Sequence, residues 1–198
     1  MHLSLRGRMV ASDHGWLLWQ ALREHAPWLE DEPLAGIHAI QGADDGAGAL
    51  ILGHRAKLVV RCPVRRVDQL LSALSGKTLM LGEHSLVVGA GKSRALSTYS
   101  PLYAHCVVTG DEDEAKFARE VLRLLRDMDI ECRFICGRPQ LLYDGTQQVR
   151  GYSLLLHNLP LAQAIAVQQH GIGLHRKLGC GLFIPHKSIV AVGSVESV

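Results

Sequence analysis

YAHCVVTGDEDEAKFAREVLRLLRDM, residues 103–128, carries the two patterns that decide the fold class. Its first residues include Tyr103, Val107 and Val108, which are typical of a strand. After Asp111, apolar residues return at three- and four-residue spacing, which predicts an amphipathic helix over 111–128. The core side of that helix consists of Phe117, Val121, Leu124, Leu125 and Met128. The stretch is therefore predicted to be a strand followed directly by a helix.

The rest of the second half continues this alternation. Residues 132–136 and 149–156 are predicted to be strands, 161–170 a second helix and 182–184 a final strand. The second half thus has the order strand, helix, strand, strand, helix, strand.

The first half has the same order. Residues 3–10 predict a strand, and Asp13 stands at the N-cap position of a helix that Pro27 ends. The further predicted elements are strands over 36–40 and 57–61, a helix opened by Pro63, and paired strands over 78–81 and 85–88. A turn-rich linker over 97–101 separates the halves.

This duplicated order predicts an α+β protein of two tandem ferredoxin-like (RRM-like) βαββαβ units with antiparallel sheets. We expect an N-terminal domain over residues 1–98 and a C-terminal domain over 99–198. The composition, 47% apolar and 20% charged over 198 residues, is that of a globular protein and excludes a disordered or fibrous chain. The sequence has no apolar run of about eighteen residues and no signal-peptide pattern, so we expect a cytoplasmic protein without a membrane partner.

The five cysteines are odd in number and scattered, which favours a reduced compartment over a disulfide framework. Cys132 and Cys136 lie four residues apart in a predicted strand, without a second ligand pair at metal spacing. We therefore predict buried thiols and neither a metal site nor a cofactor.

The formal net charge is only +2, but residues 145–195 contain no Asp or Glu. An acid-free stretch of this length is typical of a surface that meets a polyanion, and it also fits a buried domain with few charges of either sign. A second basic feature lies on the helix predicted over 111–128, where four cations recur at three- and four-residue spacing along about 15 Å. These cations are Lys116, Arg119, Arg123 and Arg126. Such a line can follow a phosphate backbone, although Glu120 and Asp127 also make it a plausible solvated helix face.

The run GIGLHRKLGCGLFIP, residues 171–185, brackets a basic triplet with glycines. Small residues permit close approach of a backbone, so phosphate or RNA backbone is the expected ligand. The residues concerned are Gly171, Gly173, Gly179 and Gly181 around His175, Arg176 and Lys177. The run GAGKS at 89–93 resembles the end of a nucleotide-binding loop, but Leu86 stands where that motif needs glycine.

The run from Gly171 to Phe183 resembles the glycine-rich loop of CRISPR-associated endoribonucleases, which cut precursor guide RNA within its repeats. The runs DHG at 13–15, GIH at 36–38 and PHK at 185–187 resemble its myxobacterial-type subfamily most closely. The resemblance implies paired ferredoxin-like domains and metal-independent cleavage of repeat RNA, in which the 2′-hydroxyl attacks the adjacent phosphodiester and leaves a 2′,3′-cyclic phosphate. It also implies retention of the stem-loop product and other effector-complex subunits as partners.

Members of that family carry a histidine on or near the first helix, and this chain has eleven histidines from which to choose. His14 stands at the start of the first predicted helix and is the first candidate for the general base or acid. His38 is the second, although its aliphatic neighbours also fit a buried structural histidine.

Two other functions fit the same sequence. One is a catalytically inactive subunit that binds the stem-loop of a guide RNA within a larger assembly. The other is a ferredoxin-like metabolic or regulatory protein that binds a phosphorylated ligand at the glycine-rich loop.

Overall fold

The computed structural model describes residues 1–187. It divides into two units, each with its own hydrophobic core. The first unit contains Met1–Arg94 together with two short segments from later in the chain, Tyr143–Thr146 and Lys177–Gly179. The second unit contains Ala95–Leu142, Gln147–Arg176 and the described residues from Cys180 onward.

The first unit is built on a five-stranded antiparallel sheet with two α-helices. Its strands are β1 (His2–Arg6), β2 (Met9–Ala11), β3 (Gly36–Ile37), β4 (Ala43–Asp44), β5 (Ala49–Ile51), β6 (Lys57–Arg61), β7 (Thr78–Leu81) and β8 (His84–Lys92). Its α-helices are α1 (Gly15–His25) and α2 (Val67–Leu74), and short 3-10 helices occupy Pro27–Leu29 and Val64–Arg66. The main sheet has the order β3-β6-β1-β8-β7. Its first strand in the chain, β1, lies between its third, β6, and its last, β8, as in a ferredoxin-like fold.

The remaining strands form a separate sheet of order β2-β5-β4. Residues 3–10 were predicted to be one strand, and this prediction is wrong because the chain leaves the main sheet after Arg6. Gly7 stands at the break, where an added Cβ would overlap the side chain of Leu86. The GAGKS run also differs from a nucleotide-binding loop, because β8 continues through it to Lys92.

The second unit repeats the strand and helix order. Its strands are β9 (Leu102–Val107), β10 (Arg133–Tyr143), β11 (Gln148–His157) and β12 (Ile184–Pro185), and its α-helices are α3 (Glu114–Asp127) and α4 (Leu161–His170). The sheet order is β10-β11-β9-β12. A short 3-10 helix follows over Arg176–Leu178.

Helix α3 shows how the sequence pattern produces the packing. The side chain of Asp113 accepts a hydrogen bond from the Lys116 backbone N–H at 2.9 Å, which caps the first turn. Phe117 and Val121 are fully buried in the core, one turn apart. The fold class predicted from the sequence is confirmed, with two ferredoxin-like units of mixed α and β structure. None of the helices within residues 1–187 is long and apolar enough to cross a bilayer.

Candidate active site and nucleic-acid interface

His14 occupies the cap position of α1 and is almost completely buried, with 2% of its surface exposed. Both of its ring nitrogens contact backbone groups of the first unit. Nδ1 lies 2.8 Å from the carbonyl oxygen of Ala11, and Nε2 lies 2.9 Å from the backbone nitrogen of Ile40. The ring therefore joins the start of α1 to the segment that follows β3.

These two partners determine the tautomer of His14. A backbone N–H only donates, so Nε2 must accept from Ile40, and Nδ1 must carry the proton and donate it to Ala11. Burial lowers the pKa of His14, and its hydrogen bond to the Ala11 carbonyl only partly opposes this effect. The neutral ring thus holds the backbone together, and neither nitrogen is open to a reacting group in this arrangement.

His38 lies two residues before Ile40 and is partly exposed. It directly follows β3, and its backbone N–H donates to the carbonyl of Val59 on β6 at 2.9 Å. The backbone of this segment is thus fixed at two residues. The sheet holds residue 38, and the side chain of His14 holds residue 40. His38 is thus a partly exposed residue on a segment with fixed geometry.

The end of the glycine-rich run packs against the same segment. A Cβ added to Gly179 would lie 3.3 Å from the nitrogen of Ala39 and 3.4 Å from the carbonyl oxygen of Ile37. Gly179 also has a φ of +98°, a conformation that residues with a side chain rarely adopt. Glycine here lets the turn lie directly on the backbone that carries His38.

Two further contacts hold this part of the run in the first unit. The Lys177 Nζ donates to the carbonyl of Glu30 and lies 5.5 Å from the centre of the Trp19 ring. The carbonyl oxygen of Leu178 lies 2.6 Å from the position of a Cβ on Gly15, the first residue of α1. Lys177 therefore anchors the turn as well as contributing positive charge.

Arg176 and His175 belong to the second unit. The Arg176 guanidinium donates to the carbonyl of Gln169 at 3.0 Å, near the end of α4. Burial lowers its pKa. His175 is partly exposed and has a φ of +60°. Of the three residues in the basic triplet, two thus have side chains that hold backbone carbonyls.

The other glycines of the run shape the loop itself. Gly171, Gly173 and Gly181 all have φ values between +65° and +81°. An added Cβ on Gly181 would overlap the carbonyl oxygen of Ile172, and its own N–H donates to Cys106 of β9 at 2.8 Å. These glycines are required by the close packing of backbone on backbone, whatever ligand the loop binds.

The four cations predicted on the second-half helix lie on α3, and all four are exposed. They are not equivalent, because Arg123 donates to Glu120 at 2.6 Å and 2.9 Å and also pairs with Asp127 at 2.5 Å. No ion pair of Lys116, Arg119 or Arg126 occurs among the residues that the structure describes. These three carry the charge of the helix face that is available to a ligand.

The contacts that position these groups were not predictable from the sequence. Asp13 was predicted to cap α1, and this prediction is wrong. Its carboxylate instead accepts a hydrogen bond from the Tyr143 backbone N–H at 2.7 Å. No signal in the sequence connects residues 130 positions apart.

Within residues 1–187, no group of three or more His, Cys, Asp or Glu side chains is placed to hold a metal ion. Burial raises the pKa of the Cys132 and Cys136 thiols to about 11.

Comparisons with known proteins find one matching family and a curated relative. Residues 1–188 match the protein family described as Cas6 Crispr. A curated relative, the CRISPR-associated endonuclease Cas6 of Myxococcus xanthus (strain DK1622), is 32% identical over 182 residues, which cover 91% of this chain and 78% of the relative.

Solved structures share the fold at much lower identity. One described as CRISPR associated protein Cas6 has a TM-score of 0.70 at 13% identity and covers 94% of this chain and 100% of its own. A Cas6-related protein from Pyrococcus furiosus has a TM-score of 0.65 at 15% identity, with 92% and 96% covered. A third, described as an RAMP protein binding different RNA substrates, has a TM-score of 0.66 at 15% identity, with 94% and 98% covered.

Proposed function

The chain belongs to the Cas6 family, and from this premise we propose that it is a metal-independent endoribonuclease that cleaves CRISPR repeat RNA into guide RNA. The observation that carries the proposal is the placement of His38. This partly exposed histidine follows β3, on a segment that His14 fixes from one side and the glycine-rich turn covers from another.

The proposed reaction uses a nucleophile that RNA itself supplies. The 2′-oxygen loses its proton and forms a bond to the adjacent phosphorus, while the bond from phosphorus to the 5′-oxygen breaks. The departing oxygen takes up a proton, so the products are a 2′,3′-cyclic phosphate and a 5′-hydroxyl. The protein must supply a proton acceptor or donor and positive charge for the phosphorane, and histidine is suited to the first task because its ordinary pKa lies near neutrality.

We assign the proton transfer to His38 and a positioning role to His14. His14 was the first candidate from the sequence, but its Nε2 already accepts from Ile40 and its burial favours the neutral form. His38 is the more exposed of the two and lies on the segment that His14 fixes. Positioned general acids and bases contribute roughly 10²–10⁴-fold to a reaction rate, so even a single histidine in this place has a large effect.

RNA binding is assigned to two basic features. The exposed cations of α3 contact phosphates of the repeat stem-loop, and His175, Arg176 and Lys177 contact the RNA backbone. Because Arg176 and Lys177 donate hydrogen bonds to backbone carbonyls, their side chains also fix the turn. We propose that the stem-loop product stays bound and that other effector-complex subunits assemble on it. We propose a cytoplasmic location, which the odd number and scattered positions of the five cysteines suit.

The test is cleavage of a hairpin repeat RNA in the presence of EDTA. The proposal predicts one cut within the repeat, an upstream product that ends in a 2′,3′-cyclic phosphate, and no cut when the scissile nucleotide carries a 2′-deoxy substitution. Loss of cleavage on chelation would contradict the metal-independent mechanism.

A second candidate function is a guide-RNA stem-loop-binding subunit without activity. The burial of His14 favours it, because the first predicted base has no open nitrogen. Tight binding of the hairpin without cleavage would select this function.

A further inference from the structure

The turn between β10 and β11, residues 143–146, belongs to the first unit and is braced by its own side chains. The carboxylate of Asp144 accepts hydrogen bonds from the N–H and the hydroxyl of Thr146, both at 2.8 Å. The hydroxyl of Tyr143 donates to the carbonyl of Gly145 at 2.7 Å. The turn therefore has a defined shape, which it can impose on the residues that it contacts.

This turn contacts the start of α1 at two places. The N–H of Tyr143 donates to the carboxylate of Asp13 at 2.7 Å. The ring of Trp16 lies directly on Gly145, where an added Cβ would lie 2.5 Å from Cη2 and 2.6 Å from Cζ2 and Cζ3. Glycine permits this close approach and the φ of +107° at the same position. The two contacts thus lie on either side of His14 in the sequence.

Helix α1 depends on such contacts because its cap residue is used elsewhere. Within the part of the chain that the structure describes, His14 makes no side-chain hydrogen bond to the first turn of α1. Its imidazole instead joins the carbonyl of Ala11 to the N–H of Ile40. The contacts of Asp13 and Trp16 therefore hold the first residues of the helix from outside it.

A displacement of His14 is transmitted to the His38 segment. The ring is hydrogen-bonded at both nitrogens and is 2% exposed, so close packing prevents it from turning independently of its backbone. Ile40 lies only two residues after His38. The position of the turn thus reaches the His38 segment through two hydrogen bonds, from Tyr143 to Asp13 and from Ile40 to His14.

Asp13 affects His14 through its charge as well as through this hydrogen bond. The charge opposes the lowering of the His14 pKa that burial causes. Asp13 is exposed, however, so water and salt screen its charge. The hydrogen bond has a fixed direction and length, and it is the contribution that determines position.

We propose that Asp13 is a positioning residue and that residues 143–146 act as a clamp on the start of α1, which holds His38 in place through His14. Asp13 takes no part in the proton transfers. The effect on cleavage rests on the proposed function, whereas the effect on the bond between His14 and Ile40 does not.

The experiment combines amide hydrogen exchange at Ile40, followed by NMR in the full chain, with single-turnover cleavage of a hairpin repeat RNA. For Asp13→Ala we expect exchange at Ile40 to be about tenfold faster and cleavage about tenfold slower. Asp13→Asn keeps an acceptor oxygen without the charge, so both rates are expected to stay within about twofold of the unaltered protein. The matched control is Asp44→Ala, which removes one exposed hydrogen bond of 2.9 Å from the N–H of Gly46.

A second pair of variants tests the contact with Trp16. Gly145→Ala places a Cβ against the ring, and we expect it to accelerate exchange at Ile40 by about as much as Asp13→Ala. Gly110→Ala is the control, because Gly110 has a similar φ of +95° and an added Cβ meets nothing within 4 Å. Equal exchange at Ile40 in these two variants would overturn the role of the Trp16 contact.

The other outcomes separate this inference from the proposed function. If Asp13→Ala leaves exchange at Ile40 as Asp44→Ala does, or if Asp13→Asn behaves as Asp13→Ala does, the inference is overturned, even when the unaltered protein cleaves repeat RNA. It is also overturned if exchange is accelerated and cleavage is unaffected. If the unaltered protein cleaves no RNA but Asp13→Ala alone accelerates exchange, the clamp stands and the endoribonuclease proposal fails.

Discussion

The imidazole of His14 accepts a hydrogen bond from the backbone of Ile40, a residue 26 positions further along the chain. The bond spans 2.9 Å and lies in the interior of the first unit. It connects the start of α1 with the segment that carries His38, so the position of one histidine depends on the other.

Replacing His14 by alanine is expected to destabilise the first unit. The variant leaves the buried N–H of Ile40 and the carbonyl of Ala11 without their partners and creates a cavity. We expect a loss of about 2–4 kcal/mol in the free energy of unfolding, measured by urea denaturation. His14→Asn retains a donor near the position of Nδ1 and is expected to lose less. The control is His54→Ala at an exposed loop position, and an equal effect there would contradict the role of His14.

The lowered pKa of His14 predicts how stability depends on pH. Below the ordinary value of 6.5 the unfolded chain takes up a proton on this residue, while the folded chain does so only at lower pH. The contribution of His14 is therefore fully present above pH 6.5 and is lost as the pH falls from there towards the lowered pKa. Urea denaturation at several pH values tests this, and the slope below pH 6.5 should be smaller in His14→Asn. Identical slopes would show that His14 does not titrate as its burial implies.

Replacing His38 by alanine is expected to remove cleavage and keep RNA binding. We expect the single-turnover cleavage rate of a hairpin repeat RNA to fall by about 10² or more, with the Kd changed by less than about threefold. His14→Asn provides the comparison, because a positioning residue lowers the rate without removing an ionisation from the pH–rate profile. If His14→Asn removed a limb of that profile and His38→Ala did not, the two assignments would be reversed. His54→Ala again serves as the neutral control.

The ion pairs on α3 predict that its arginines contribute unequally to RNA binding. Arg119→Ala removes a cation that has no ion pair among the described residues, and we expect a weaker Kd and a salt slope smaller by about 1. Arg123→Ala is expected to have the smaller effect, because Glu120 and Asp127 already use its donors. Filter binding of a stem-loop RNA over a range of salt concentrations measures both. Equal losses would show that the RNA displaces these carboxylates.

Much of the fold is predictable because its signals are local. Residues 57–61, 78–81 and 161–170 were predicted with the bounds that the structure shows, since apolar periodicity and flanking Pro or Gly act over a few residues. The split between β1 and β2 was missed, because the packing of Leu86 against Gly7 depends on a strand distant in sequence. Local patterns thus predict the presence and type of a helix or strand better than the residues at which it begins and ends.

The candidate residues of the site could be named from the sequence, but the contacts among them could not, and their roles stay predictions. His14 and His38 were both identified, yet only the Ile40 contact shows that His14 is enclosed.

Alanine substitutions at Gly179 and at Gly48 separate backbone strain at Gly179 from its contact with the His38 segment. Gly179 and Gly48 have nearly the same φ, +98° and +95°, so alanine at either position is expected to cost a similar 1–2 kcal/mol or so of stability. The two sites differ in their surroundings, because a Cβ at Gly48 meets nothing within 4 Å, whereas a Cβ at Gly179 presses on the backbone either side of His38.

We therefore expect Gly179→Ala to lower the cleavage rate about tenfold, because small displacements of a catalytic group reduce catalysis steeply. Gly48→Ala is expected to cleave at the rate of the unaltered protein. Thermal unfolding and single-turnover cleavage of both variants provide the comparison. If the two variants lose cleavage equally, general destabilisation accounts for the effect. If neither loses it, the turn does not determine the position of His38, and the catalytic assignment loses one of its two supports.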